Sequence, residues 1–373
     1  MFTGEHSSTA HIHDWVTAPN HAFCRGYRVA YLQARPSQQQ PRIESIFYST
    51  FQEPDIMLPG QIQPKLIIHG GAGSSLKGKG GEEAVRRSLY RVIEEVYGLL
   101  MAGASAETAV VRGCQLLEDD PRFNAGTGSV LQSDGQIRMS ASLMSGPNQK
   151  FSGVINVGRI KNPIDLALFL QDSPDRILSD YGAAELVREL KIPPHDPLTE
   201  IRLQEWIQER HGNFHREMAG VVAEKELLTE AGRGTVGVVA LDGEGRIAAG
   251  TSTGGKGFER IGRVSDSATP AGNYATHHAG ISCTGIGEDI LEECLAPRIV
   301  IRVTDGLSLP LAFERSFIEA ETNRRDFGAI GIDRTGMIAW GKTSEVLLAA
   351  YHDGEHVRDT LELEEGTVTG HCR

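Results

Sequence analysis

Three segments of the sequence share one pattern, in which two strand-like runs flank a short turn that contains glycine. They are GSVLQSDGQIRMSAS (128–142), GTVGVVALDGEGRIAAGTS (234–252) and GAIGIDRTGMIAWGKTS (328–344). Asp-Gly and Thr-Gly pairs at or near the turns are typical of β-hairpins. Because hairpins join antiparallel strands, the pattern predicts antiparallel sheet and disfavours a doubly wound parallel sheet.

Helical patterns are grouped between these hairpins and do not alternate one for one with strands. They are predicted at 82–103, 107–118, 176–190, 286–303 and 308–325. In the first of them, apolar residues recur every three or four positions, as in an amphipathic helix, and Gly103 ends it. A strand, KLIIHG (65–70), precedes it. This grouping favours a layered α+β fold.

The charge balance limits the possible partners. Lys and Arg number 37 against 49 Asp and Glu, which gives a net charge of −12. An acidic surface repels phosphate groups, so we expect neither a general nucleic-acid binder nor a protein of anionic membranes. No apolar run approaches the ~20 residues of a membrane span. Five scattered cysteines without a C-x-x-C pair favour a reducing cytoplasm and predict no zinc cluster.

The composition changes near residue 57. Residues 1–56 contain only two of the 43 glycines and show no sustained helical or strand period. We therefore expect this N-terminal extension to be disordered, or not translated, with Met57 as the start of the working chain. The alternative is a genuine extension that caps a sheet edge. A second atypical segment, 193–234, is charged and interrupted by glycine, and it predicts an exposed, mobile linker that leads into the second hairpin.

One candidate chemistry is nucleotide binding. The strand KLIIH is followed by a glycine-rich run from Gly73 to Gly80 and then by a helix, close to the G-x-x-x-x-G-K-[ST] phosphate loop. VGVVALD (236–242) resembles the strand whose terminal Asp holds magnesium. Gly80, however, has no hydroxyl where Ser or Thr must bind Mg²⁺. A simple glycine turn between strand and helix is the competing interpretation.

A second candidate chemistry rests on hydroxyl and charged groups in four motifs of the last 140 residues. They are GTVG (234–237), TSTGG (251–255), GRVSDS (262–267) and SCTGIG (282–287). Ser and Thr also favour strands and hairpin ends, which would explain any one motif alone. Together they supply more: an Arg and an Asp three residues apart can hold both ends of a zwitterion, and Thr284-Gly285 offers donors suited to an oxyanion.

These motifs, with HGGAG (69–73) and FNAGTGS (123–129), resemble those of the plant-type L-asparaginases or isoaspartyl peptidases, which are N-terminal-nucleophile hydrolases. The resemblance runs from about Lys65 to Tyr351. It implies a four-layer αββα sandwich made as a precursor that cuts itself before Thr235. The products would be an α subunit, 57–234, and a β subunit, 235–373, which stay together as one structural domain. A dimer of such αβ units is expected.

The resemblance also implies roles for individual residues. Thr235, freed from Gly234, would be the nucleophile, with its own α-amine as base, because a Thr hydroxyl is weak without one. Thr253 would tune this hydroxyl. Arg263 would bind the substrate α-carboxylate and Asp266 the α-ammonium. The oxyanion hole would comprise Thr284 and Gly285, and the remaining substrate contacts would come from Asn124, Val264, Ser265, Ile286 and Gly287.

The implied activity is hydrolysis of β-aspartyl dipeptides and L-asparagine to L-aspartate through a Thr acyl-enzyme. A glycosylasparaginase-like enzyme or a threonine aspartase would share GTVG and stays an alternative. No cofactor is required, but the family holds a structural sodium through main-chain carbonyls. The matching loop positions are Leu117, Glu118, Asp120, Phe123, Ala125 and Thr127.

Four positions depart from the family pattern. Ser265 replaces the second Gly of G-R-V-G-D-S, and Ile286 stands where Thr or His is common. Ser140 and Ser145 occupy positions where Asp is expected. Since none of these removes a catalytic group, they leave the relative preference for asparagine and isoaspartyl peptides open and do not alter the expected mechanism.

Overall fold

The computed structural model describes residues 62–73, 80–211, 234–364 and 366–373. The strands are β1 (Lys65–Gly73), β2 (Met139–Ser145), β3 (Lys150–Val157), β4 (Ile177–Ser179), β5 (Val236–Leu241), β6 (Ile247–Thr253), β7 (Asn273–Ala275), β8 (Ala279–Gly285), β9 (Phe327–Asp333), β10 (Ile338–Lys342), β11 (Val346–His352), β12 (Val357–Asp359) and β13 (Val368–Cys372). The helices are α1 (Glu82–Met101), α2 (Ala106–Glu118), α3 (Pro163–Leu170), α4 (Asp180–Glu189), α5 (Glu200–His211), α6 (Gly287–Glu293), α7 (Leu295–Thr304) and α8 (Leu309–Thr322). The predicted extension 1–56 and the proposed start at Met57 lie outside these residues.

The strands form two sheets. The larger has the order β12-β11-β1-β5-β6-β2-β3-β4, and the smaller has the order β13-β10-β9-β8-β7. Two of the three predicted hairpins are confirmed as β5–β6 and β9–β10. Because β1 pairs antiparallel with both β5 and β11, it is not the strand of a phosphate loop, whose neighbours would be parallel. Asp242, at the end of β5, accepts N–H groups of Glu244 and Arg246 and so closes the hairpin turn instead of facing a nucleotide.

The prediction of a hairpin at 128–142 is wrong. Only its end belongs to a strand, β2, which pairs with β3 and β6. The backbone of the preceding residues is engaged elsewhere, since Val130 donates its N–H to the Asn124 side chain and Leu131 accepts the N–H of Phe258. Because these backbone groups bond to loop residues, they are not available for the cross-strand hydrogen bonds that the first strand of a hairpin would need.

Three further predictions differ from the structure. The helix predicted at 286–303 is two helices, because Cys294 has a left-handed backbone (φ 46°) between α6 and α7. The helix predicted at 176–190 begins only at residue 180, after the short strand β4. The segment predicted as a mobile linker contains α5, whose Trp206 donates its indole N–H to the Gln132 carbonyl at 2.9 Å. Residues 212–233 lie outside the described part of the chain.

Apolar side chains divide among three main clusters. One joins α1–α4 to the larger sheet and includes Leu89, Val110 and Ile164. A second joins α6–α8 to the smaller sheet. The third contains residues of both sheets, such as Val239 and Ile330, so the two sheets pack on each other. The fold is therefore a mixed α and β fold with two sheets. Within the described ranges, no helix has the length and apolar character needed to span a bilayer.

Candidate active site

Thr235 is buried directly before β5, at the N-terminal end of an interior strand of the larger sheet. The β5–β6 pairing sets Val236 opposite Ser252, so Thr235 meets Thr253 at the end of β6. The Thr235 hydroxyl donates to Thr253 Oγ1 at 3.1 Å, and the N–H of Gly255 donates to the same oxygen at 3.1 Å. Thr253 is thus placed to orient the Thr235 hydroxyl.

The peptide bond before Thr235 is held from two sides. The N–H of Asn124 donates to the Gly234 carbonyl at 3.1 Å. On the other side, Gly71 has φ 123°, and a Cβ there would lie 2.5 Å from the Gly234 Cα. Only glycine permits both this backbone and this approach. The Asn124 side chain does not bind Gly234; it donates to Gly255 O at 2.7 Å and accepts from Val130 N.

The smaller sheet supplies Thr284 and Gly285 from the end of β8. Thr284 Oγ1 accepts the N–H of Ala72 at 3.1 Å and approaches the Thr235 carbonyl oxygen at 3.4 Å. Gly285 has φ 128°, and a Cβ there would lie 2.5 Å from Phe327 Cα. The two sheets therefore bring Thr235 and Thr284 together, although they are 49 residues apart.

Arg263 and Asp266 meet beside Gly287. A Cβ on Gly287 would lie 2.7 Å from both Arg263 Nη2 and Asp266 Oδ1. Asp266 is buried, and burial raises its pKa to about 6 although the charge of Arg263 opposes this. Its buried Oδ2 has no hydrogen-bond partner within the described residues. A carboxyl group and a guanidinium side by side are suited to the two charged ends of a zwitterion.

An acidic partner of Arg263 was not predicted. Glu288 accepts from Arg263 Nε at 2.8 Å and from Nη2 at 3.0 Å. Burial raises the pKa of Glu288, but the hydrogen bond and charge of Arg263 outweigh it and lower this pKa to about 2. The ion pair uses one edge of the guanidinium and fixes its plane, which leaves the Nη1–Nη2 edge to receive a second carboxylate.

The positions that depart from the family pattern have different surroundings. Ser265 donates to Asp266 Oδ1 at 3.2 Å and accepts the N–H of Ser267, which caps a short 3₁₀ turn. The Ile286 N–H donates to the Asp326 carbonyl. Val264, a predicted substrate contact that does not depart from the pattern, is exposed. Ser140 is the cross-strand neighbour of Thr253 in β6.

Ser145, in contrast, pairs with Ala248, at the opposite end of β6 from Thr253. Ala248 and Thr253 are five positions apart along β6, which corresponds to about 17 Å. Strand pairing therefore places Ser145 away from Thr235.

The loop 117–128 brings several main-chain oxygens together. Phe123 donates its N–H to the Asp120 carbonyl and Thr127 to the Glu118 carbonyl, at 3.1 and 2.7 Å. A Cβ on Gly128 would lie 2.6 Å from Pro121 O and 2.8 Å from Phe123 O. Each carbonyl retains a second lone pair, and hard cations prefer oxygen ligands, so such carbonyls are suited to a cation; sodium at this loop stays a prediction. The described residues contain no cluster of three His, Cys, Asp or Glu side chains suited to a metal.

Glu118 is a further buried group that was predicted only for its main-chain oxygen. Its Oε1 accepts from Ser252 Oγ at 2.6 Å and from Ile164 N at 3.2 Å. Burial raises its pKa to about 8. Ser252 precedes Thr253, so this carboxyl links α2 to the strand that carries the second threonine.

We expect the contribution of Glu118 to the free energy of unfolding to fall as the pH rises from about 5 to 8. Over this range folded Glu118 keeps a proton that it loses in the unfolded chain, where the pKa is about 4.3. One such proton changes stability by at most about 1.4 kcal/mol per pH unit. Urea titrations of Glu118→Gln should show a flatter profile, whereas exposed Glu94→Gln should match wild type. Identical profiles for Glu118→Gln and wild type would contradict the assignment.

Comparisons with known proteins identify the family of this chain. A family model described as asparaginase matches residues 62–362. An isoaspartyl peptidase/L-asparaginase of Nostoc sp. is 71% identical over 315 residues, which cover 84% of this chain and 99% of the relative. One of Synechocystis sp. is 63% identical, covering 83% and 94%. The Homo sapiens protein of the same name is 34% identical, covering 83% and 99%. The chain therefore belongs to the asparaginase family of hydrolases.

Proposed function

We propose that the protein is a self-cleaving amidohydrolase that releases L-aspartate from β-aspartyl dipeptides and L-asparagine. The observation that carries this proposal is the pair of Thr235 and Thr253 at the end of the β5–β6 hairpin, joined at 3.1 Å. The names of the relatives support the two substrate types. Asp266 and Arg263, which meet at Gly287, supply complementary charges for a free aspartyl end.

Self-cleavage would begin with attack of Thr235 Oγ on the carbonyl carbon of Gly234. The Asn124 N–H, already 3.1 Å from that carbonyl oxygen, would stabilise the negative charge that develops there. The C–N bond breaks, the nitrogen of Thr235 takes a proton, and an ester joins Gly234 to the hydroxyl. Water then opens the ester, which leaves Thr235 with a free α-amine and a free hydroxyl.

Turnover would use the same hydroxyl. The new amine, since α-amino groups of peptides have a pKa of about 7.7–8.0, removes the hydroxyl proton as Oγ attacks the side-chain carbonyl of the substrate. Thr284 and Gly285 would stabilise the oxyanion. Ammonia or an amino acid leaves with the proton, and water hydrolyses the aspartyl ester.

The proposal extends to assembly. The three apolar clusters support a four-layer αββα sandwich, with one helical layer outside each sheet. Cleavage would divide it into an α subunit, 57–234, and a β subunit, 235–373, and we propose a dimer of these αβ units. Sodium in the 117–128 loop would hold the segment that carries Asn124. The described cysteines are free thiols, which fits the expected cytoplasm.

Purified protein is expected to give two bands on a denaturing gel after incubation. Edman sequencing of the smaller fragment should begin Thr-Val-Gly-Val, because the cut precedes Thr235. The incubated protein should release aspartate from asparagine and from isoaspartyl dipeptides. An intact chain that hydrolyses these substrates would contradict self-cleavage, and a cut protein that releases no aspartate would favour another threonine hydrolase of this superfamily.

A further inference from the structure

A row of three residues crosses the larger sheet immediately beyond the nucleophile. In the β1–β5 pairing His69 is opposite Gly237, and in the β5–β6 pairing Gly237 is opposite Thr251. His69 and Thr251 therefore flank a residue without a side chain. The gap between them opens toward the smaller sheet, because Ser282 of β8 reaches both of them.

These polar side chains form a continuous buried chain of hydrogen bonds. His69 Nδ1 lies 3.0 Å from the Thr235 carbonyl oxygen, and His69 Nε2 lies 2.9 Å from Ser282 Oγ. Ser282 Oγ lies 2.6 Å from Thr251 Oγ1. His69, Ser282 and Thr251 are each fully buried. The chain thus connects the backbone of Thr235 to a hydroxyl of the second sheet.

The partners determine which nitrogen of His69 carries a proton. A carbonyl oxygen only accepts, so Nδ1 must be the donor toward Thr235. Nε2 is then an acceptor for the Ser282 hydroxyl, which in turn can accept from Thr251. Burial lowers the pKa of His69 to about 3, although the hydrogen bond to Thr235 opposes this, so the ring is neutral at neutral pH.

Gly237 makes this arrangement possible. A Cβ at Gly237 would overlap both Ser282 Oγ and His69 Nε2. The second glycine of GTVG is therefore explained by the space that the hydrogen bond between these two side chains requires.

We propose that His69 is a positioning residue for Thr235, in which the acceptor-only carbonyl of Thr235 keeps the ring proton on Nδ1 and Ser282, by donating to Nε2, holds the ring in place. This inference rests on the proposed role of Thr235 as nucleophile. The ring restrains the plane of the peptide unit that contains the Thr235 carbonyl, and with it the position of the Thr235 Cα that carries the side chain and the future amine. The restraint persists after cleavage, because the Thr235 carbonyl belongs to the uncut side of the bond.

The test measures kcat, KM and self-cleavage rate for His69→Leu, His69→Asn and Ser282→Ala in the full chain. Asn can place an N–H near the position of Nδ1, so it should retain more of kcat than Leu. We expect Ser282→Ala to lower kcat about tenfold and to leave KM unchanged, as for loss of one hydrogen bond. Ser152→Ala, another fully buried serine on distant β3, is the matched control and should keep both constants.

Nitrogen-15 NMR of the mature enzyme gives a readout that a merely structural role would not move. The wild-type ring should carry its proton on Nδ1, and Ser282→Ala should keep that tautomer but shift the Nε2 resonance, because the unprotonated nitrogen loses its hydrogen-bond donor. A wild-type Nε2–H tautomer, or full kcat in Ser282→Ala, would overturn the inference even if His69→Leu fails to fold. If Thr235→Ala remained active, the assignment of the nucleophile would fail instead, so the two failures are distinguishable.

Discussion

Thr235→Ala is expected to remain a single uncut chain and to lose at least about a thousandfold in kcat/KM. Alanine has no oxygen to attack Gly234 and none to form the aspartyl ester, so both reactions stop at the same atom. The buried contact with Thr253, at 3.1 Å, is lost as well. Gel analysis and aspartate release measure the two losses separately.

Two variants serve as controls for this result. Thr235→Ser keeps the hydroxyl and should still cut itself, at a lower rate because the methyl group no longer restricts the rotamer. Thr322→Ala makes the same chemical change on the exposed side of α8 and should behave as wild type. Cleavage at residue 235 in the alanine variant would show that another group attacks Gly234.

Asp266→Asn should lower kcat/KM for asparagine and isoaspartyl dipeptides about ten- to a hundredfold. The variant keeps the shape of the side chain but loses the charge that binds an α-ammonium group, and hydrogen bonds to charged groups are worth ~1.5–3 kcal/mol. N-acetylated dipeptides lack that ammonium and should be poor substrates of wild type. The exposed Asp172→Asn is the matched control.

The same carboxyl predicts a pH dependence. Asp266 has a pKa of about 6, so it becomes neutral as the pH falls through 6, and its attraction for the ammonium group is lost. KM of wild type should therefore rise below pH 6, and Asp266→Asn should lack this rise. Equal cleavage of acetylated and free dipeptides by wild type would refute the role of Asp266.

The hairpins β5–β6 and β9–β10 could be predicted because their turns contain local glycine signals that match the strand period. The segment 128–138 has similar residues, but contacts with Asn124 and Phe258 take its backbone groups. Local patterns carry no information about such contacts. The same limit explains why α5 was assigned to a linker.

The candidate site shows a similar division. Motifs identified Thr235, Arg263 and Asp266 because their chemistry is recognisable from residue type and spacing. The contacts of His69 and Glu288 depend on which strand or helix faces which, and residue type alone does not reveal this. His69 stood within the recognised HGGAG motif and Glu288 directly after SCTGIG, so the positions were marked although their contacts were not.

The central position of β1 affects what a cut at residue 234 can do to the molecule. This strand precedes the cut in sequence, yet both of its edges are hydrogen-bonded to β5 and β11, which follow the cut. Releasing one piece requires withdrawal of an interior strand, with loss of two ladders and of the apolar contacts on both faces. If the chain is cut there, we expect exchange of pieces between molecules to be as slow as global unfolding, because the two pieces would be kinetically locked together.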